Sequence, residues 1–174
     1  VLPHVVPLSR EGTCTACHGE ALEAVNASAH RDPEGGENTR ARCWDCHGGH
    51  DVRRAADPRS TLHPYHVPGV CLKCHDKREY LDGVHGLGVR LSGLTVAATC
   101  VSCHGAHDVL ASSQTGSRIA RRNISGTCGK CHLHVAEVYV ESVHGAALRD
   151  RDNPDVPTCV DCHEPHATAD PLRP

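Results

Sequence analysis

Cys159-Val160-Asp161-Cys162-His163 is the stretch on which the reading of this chain turns, because five further segments repeat its pattern. They are Cys14-Thr15-Ala16-Cys17-His18, Cys43-Trp44-Asp45-Cys46-His47, Cys71-Leu72-Lys73-Cys74-His75, Cys100-Val101-Ser102-Cys103-His104 and Cys128-Gly129-Lys130-Cys131-His132. Together the six segments use all 12 cysteines. In a C-x-x-C-H segment the two thiols form thioethers with the vinyl groups of a haem, and the histidine that follows, on the same turn, becomes the proximal iron ligand. The pattern predicts six covalently bound haem c groups, with His18, His47, His75, His104, His132 and His163 as proximal ligands.

Zinc sites built from CxxC pairs and a disulfide framework are the competing uses of such cysteines, and neither needs a histidine after the second one. Histidine makes up 16 of 174 residues. Six histidines at that place by accident have a chance on the order of one in a million, so the motif decides for haem.

Composition points the same way. Leu, Val and Ile together number 33 of 174 residues, Phe is absent, and there are one Trp and three Tyr. That is below the level of a self-sufficient core, and so little apolar area does not offset the conformational entropy of the chain. Six porphyrins would supply large flat apolar surfaces to wrap around. Six haems shared among 174 residues leave little protein between neighbouring macrocycles.

The formal net charge is -3, and two propionates on each haem would make the loaded protein more acidic still. A nucleic-acid partner held by a basic face is therefore not expected. Arginine outnumbers lysine 15 to 3, and its planar fork suits pairing with propionates. No run of about 18 apolar residues occurs, so no membrane span is expected. Haem is attached by thioethers outside the cytoplasm, which predicts an extracellular or periplasmic chain whose signal peptide has been removed. The start at Val1, without Met or a charged n-region, agrees with that expectation.

An internal repeat is the second strong signal. The step from Cys14 to Cys71 equals the step from Cys71 to Cys128. Cys43 to Cys100 repeats the same step, and Cys100 to Cys159 exceeds it by two positions. The chain reads as one haem-cored domain over 1–174, made of three two-haem repeats at about 10–54, 67–111 and 124–168. In each repeat a first CxxCH is followed by a histidine (His30, His85, His144). A second CxxCH comes next and continues as CHxxH (His50, His107, His166).

This arrangement resembles the doubled CxxCH modules of multihaem c-type cytochromes. In those proteins a segment like Ser142-Val143-His144-Gly145 and a trailing Cys-His-x-x-His supply distal axial ligands. The resemblance covers nearly the whole chain; the third repeat matches best, and the first departs in having Arg31 where glycine follows His85 and His144. It implies a haem-wrapped fold and an electron-transfer role, and extends to the extracellular cytochrome nanowires.

Ligand counting leads to the same histidines without the family. Met is absent, so a His/Met haem is excluded. Beyond the six proximal histidines, His30, His50, His85, His107, His144 and His166 recur with the repeat, one for each iron. His4, His63, His66 and His134 do not recur and are reserve ligands. His50 lies three residues after His47 on the same side of a turn and does not reach the far face of that haem. We expect His50, His107 and His166 to serve the first haem of their own repeat and His30, His85 and His144 the second. The reverse assignment for His30, His85 and His144, and ligation across repeats, are the alternatives.

The expected fold is mostly coil with short α-helices wrapped around six haems and little or no β-sheet. Helical character is expected over Ala21 to Ala29 and Val135 to Val143. Loops are expected over Asp32 to Asn38, Ala55 to Pro68 and Asp150 to Pro157, and linkers over Asp51 to Val70 and Asp108 to Thr127. An iron with two protein ligands has no open position for a substrate, so the expected function is electron transfer rather than catalysis. Within that function the readings are a head-to-tail homopolymer forming an extracellular conductive filament, a soluble periplasmic shuttle and a respiratory-complex subunit. Redox proteins or extracellular electron acceptors would be the partners. A multihaem reductase with one open haem is the enzymatic alternative.

Overall fold

The computed structural model describes residues 12–31, 41–151, 153 and 155–170. The expected loop at Asp32 to Asn38 and the reserve ligand His4 lie outside the described residues. The helices are α1 (Gly12–Thr15), α2 (Gly19–Asn26), α3 (Cys43–His47), α4 (Val67–Cys71), α5 (Val84–Arg90), α6 (Cys100–His104), α7 (Ile124–Gly129), α8 (Leu133–Glu141), α9 (Val143–Arg151) and α10 (Cys159–Cys162). Two 3-10 turns, Arg78–Leu81 and Arg121–Asn123, join them. Among the described residues there is no strand, and no helix is long and apolar enough to cross a membrane. The expectation of short helices and coil is met.

The helices are short because their signals are local. The second motif of each repeat starts its own helix, and the residue between the two cysteines closes the first turn. The Asp45 carboxylate accepts the Arg42 N–H at 2.7 Å, Ser102 Oγ accepts the Thr99 N–H at 3.0 Å, and the Asp161 carboxylate accepts the Thr158 N–H at 2.6 Å. Each bond satisfies an N–H that the helix leaves unpaired. Helices α3 and α6 then end on Gly48 and Gly105, at φ 78° and 87°. A side chain at either position would be strained, and a Cβ on Gly105 would also crowd the Asp108 carboxylate.

Helical character expected over Val135 to Val143 is interrupted at Ser142, whose backbone is extended (φ -71°, ψ 167°). The Ser142 hydroxyl donates to the Tyr139 carbonyl at 2.6 Å and accepts the Gly145 N–H at 3.2 Å, ending α8 and opening α9. Helix α9 runs on to Arg151, into the stretch expected as loop. The expected loop before Pro68 likewise gives way early, because a proline is well tolerated in a first turn and α4 begins at Val67.

The two linkers fold alike. Ser60 Oγ donates to the Arg53 carbonyl at 3.2 Å, and Ser117 Oγ, one repeat step later, donates to the Leu110 carbonyl at 3.0 Å. Both hydroxyls also accept the N–H two residues on, from Leu62 and Ile119. Ser60 and Ser117 are each 2% exposed, so the linkers are folded around buried hydroxyls rather than loose.

Val67, Tyr80, Val89, Ala120, Ile124 and Val156 are the buried apolar side chains among the described residues, while Leu91, Leu94, Val96, Leu133, Val135, Val138 and Val143 are among those left exposed. So few buried apolar groups do not make a core for a chain of this length. Apolar surface facing outward on this scale calls for a covering group.

Candidate haem-binding site

Each motif folds into one turn. The histidine N–H donates to the first cysteine carbonyl, from His18 to Cys14 at 3.0 Å, His75 to Cys71 at 3.0 Å, His132 to Cys128 at 2.9 Å and His163 to Cys159 at 2.9 Å. Positions three and four apart share a face of such a turn, so two thiols and one imidazole present themselves together. None of the 12 cysteines is paired in a disulfide.

The motifs also sit close to one another. The Cys71 and Cys100 thiols lie close together, a proximity that raises the pKa of Cys71 and lowers that of Cys100. Cys128 lies near Cys159 in the same way; burial first, then Cys159, pushes the Cys128 thiol up to about 11. Cys46 lies near Cys71, and Cys103 near Cys131, so successive repeats adjoin as well.

Four histidine pairs face one another across nearly equal gaps. Ring centroids are 6.0 Å apart for His30 and His75, 5.9 Å for His47 and His107, 6.1 Å for His85 and His132, and 6.0 Å for His104 and His166. The His104 and His166 planes are within 3° of parallel. Every pair joins the histidine of a CxxCH motif to one of the histidines that recur with the repeat. A metal ion between two imidazole nitrogens, each about 2 Å from it, would put the ring centres roughly 6 Å apart. Burial, and after it the facing imidazole, lowers the pKa of His30, His47, His85 and His104. That favours the neutral form, which is the one that ligates metals.

The pairing differs from the within-repeat assignment. His107 faces His47 of the preceding repeat instead of His75 of its own, and His166 faces His104 of the preceding repeat instead of His132. His30 and His85 face His75 and His132, which belong to the following repeat. The cause is backbone docking between repeats. The Ala29 N–H donates to the Val109 carbonyl at 2.7 Å and the Val84 N–H to the Thr168 carbonyl at 2.9 Å, so the chain before one spare histidine is tied to the chain after the next repeat's trailing histidine.

His18, His50, His144 and His163 have no facing ring among the described residues, and all four are exposed. Of the reserve ligands, His134 is exposed. His63 and His66 lie 6.2 Å apart, but His66 Nε2 sits 3.1 Å from the Pro58 carbonyl and His63 Nδ1 accepts the Tyr65 N–H at 3.4 Å. Those ring nitrogens are committed to backbone. No group of three or more His, Cys, Asp or Glu gathers at a metal-sized point among the described residues. Apart from His63 and His66, the four histidine pairs are the places among the described residues where imidazoles gather.

Two features were not read from the sequence. The Tyr80 hydroxyl donates to the Ala98 carbonyl at 2.7 Å and the Tyr139 hydroxyl to the Pro157 carbonyl at 3.0 Å, each holding the approach to a second motif. The recurring signal was a tyrosine five residues before His85 and again before His144. Arg121 is the other: it pairs with the Asp161 carboxylate at 3.0 Å, yet its Nε is buried without an acceptor. A propionate is an acceptor of the right charge for that orphaned donor. The paired imidazoles, the thiols beside them and the uncovered apolar surface all fit haem c. No family model, no curated protein and no solved structure matches this chain.

Proposed function

We propose that this chain is an electron-transfer protein holding six c-type haems, with no substrate position at the paired sites. The observation that carries this reading is the set of four facing imidazole pairs at 5.9 to 6.1 Å, each joining a CxxCH histidine to a repeat-matched spare histidine. When bound, such a haem supplies reversible one-electron exchange. The chain's own part would be to supply the paired imidazoles, to keep neighbouring motifs close at Cys71 and Cys100 or Cys128 and Cys159, and to offer Arg121 to a propionate. Imidazole on both faces, with no thioether ligand, favours low reduction potentials. Attachment by thioethers places the protein in the periplasm or outside the cell, with redox proteins or extracellular acceptors as partners.

Mass spectrometry of the mature protein tests the reading. Six haem additions and no titratable thiol are expected. Unmodified cysteines, or a Cys71–Cys100 disulfide formed from the adjoining thiols, would overturn it.

The second reading, a reductase, draws on one observation: His18 and His163 have no facing imidazole among the described residues. An open haem at either place would bind carbon monoxide or nitrite in the reduced, native protein, whereas an electron carrier with every axial position filled would bind neither.

A further inference from the structure

The four pairs follow a single rule. The first spare histidine of a repeat faces the first motif of the next repeat, as His30 does His75 and His85 does His132. The trailing histidine of a repeat faces the second motif of the repeat before it, as His107 does His47 and His166 does His104. Three repeats joined by this rule form two complete junctions and leave four groups over. At the end of the first repeat these are His18, which needs a first spare histidine, and His50, which needs a second motif. At the end of the third repeat they are His144, which needs a first motif, and His163, which needs a trailing histidine. The two ends are complementary.

We propose that a second copy of this chain completes both ends: its first repeat follows the third repeat of the first copy and makes a junction of the same kind as the two inside the chain. His144 then ligates the haem held by His18 of the next copy, and His50 of the next copy ligates the haem held by His163. This rests on the haem reading above and names the partner that the same sites require.

The backbone supports the same junction independently of the rings. Inside the chain, each junction carries a bond from the N–H before a spare histidine to the carbonyl two residues after a trailing histidine, Ala29 to Val109 and Val84 to Thr168. The corresponding groups at the ends are the Val143 N–H and the Val52 carbonyl. Val143 is 80% exposed and Val52 58% exposed; of the four residues that make the internal bonds, Val84, Val109 and Thr168 are half-buried and Ala29 is exposed. Leu133, Val135 and Val138 of the neighbouring α8 are exposed apolar side chains as well. A second copy docked in this register would cover Val143.

A contact of this type uses different surfaces on the two copies, so it propagates head to tail. Every junction holds two ligand exchanges, and the line of haems runs on from one copy into the next.

The test uses haem-loaded full-length protein, His50→Ala, His144→Ala and their mixture, with haem count by mass, particle mass by sedimentation and iron spin state by EPR. Wild type is expected to form assemblies of low-spin iron, and dilution to monomer should turn two of its six haems high-spin. Each variant should keep six haems and lose long assemblies. Their mixture should form dimers and stop there, because His50→Ala followed by His144→Ala makes one intact junction and leaves a damaged site at both outer ends. A monomer with six low-spin haems would overturn the proposal while leaving the haem reading standing, and would direct attention to His4 as an internal ligand. Assemblies that ignore both substitutions, or a mixture that behaves as either variant alone, would overturn it equally. A haem count below six would instead strike the reading on which it rests.

Discussion

His107 stands across from His47, with ring centroids 5.9 Å apart and planes 17° from parallel, although it follows His104 by only three residues. A trailing histidine on the turn of its own motif lies across from a motif histidine of the preceding repeat. The repeats are therefore interlocked rather than placed side by side. Removing a spare histidine from one repeat should be felt at a motif in another.

His107→Ala should turn one iron in six high-spin, and that iron should be the one attached at Cys43 and Cys46. Paramagnetic NMR checks the assignment, because the affected haem should show contacts to Trp44, the single tryptophan of the chain. Ligation within the repeat would alter the haem beside Leu72 and Lys73 instead.

Gly145→Ala should destabilise the protein. A Cβ at Gly145 runs into the Tyr139 carbonyl, and one at Gly86 meets the Tyr80 carbonyl in the same way. Both are backbone obstacles that do not swing aside, and overpacking of this kind costs about 1–3 kcal/mol. Gly126→Ala in α7, where nothing lies within 4 Å of the new methyl group, is the control. It should leave the midpoint unchanged or raise it, since alanine is the better helix former. Thermal melts of the three variants decide the order.

The Thr158 N–H and hydroxyl, and then the Arg121 guanidinium, hold the Asp161 carboxyl at about 2. An unfolded chain binds the same proton near pH 4. The folded value is the lower one, so the contribution of this group is complete above about pH 4 and is lost as pH falls through 2. Asp161→Asn should flatten the pH dependence of unfolding between about pH 4 and 2, and change little of it above pH 5. An unaltered acid limb in the variant would show that the carboxylate does not anchor α10.

Chain produced without haem attachment should be unfolded. Val67, Tyr80, Val89, Ala120, Ile124 and Val156 are too few to hold the linkers together, and helices of four to nine residues do not persist alone. Far-UV circular dichroism should show little helix in the apoprotein. A cooperative melt would mean that the buried hydroxyls of Ser60 and Ser117 and the tyrosine bonds suffice without haem.

The sequence names the residues of the candidate site. The CxxCH spacing alone puts Cys159, Cys162 and His163 on one face of a turn, because three and four residues are the helical repeat. The constant step between repeats singled out His30, His85 and His107 from the other histidines, and the scarcity of apolar residues announced a missing core. What the sequence left open was which imidazole faces which. A spare histidine is held on its own turn by bonds to near neighbours, but its partner lies far along the chain and in another repeat, as His107 does from His47 and His132 from His85. Sequence spacing carries no direction across such distances. Tertiary contacts supplied it, through the Ala29 N–H on the Val109 carbonyl and the Val84 N–H on the Thr168 carbonyl, which dock each repeat onto the next instead of onto itself.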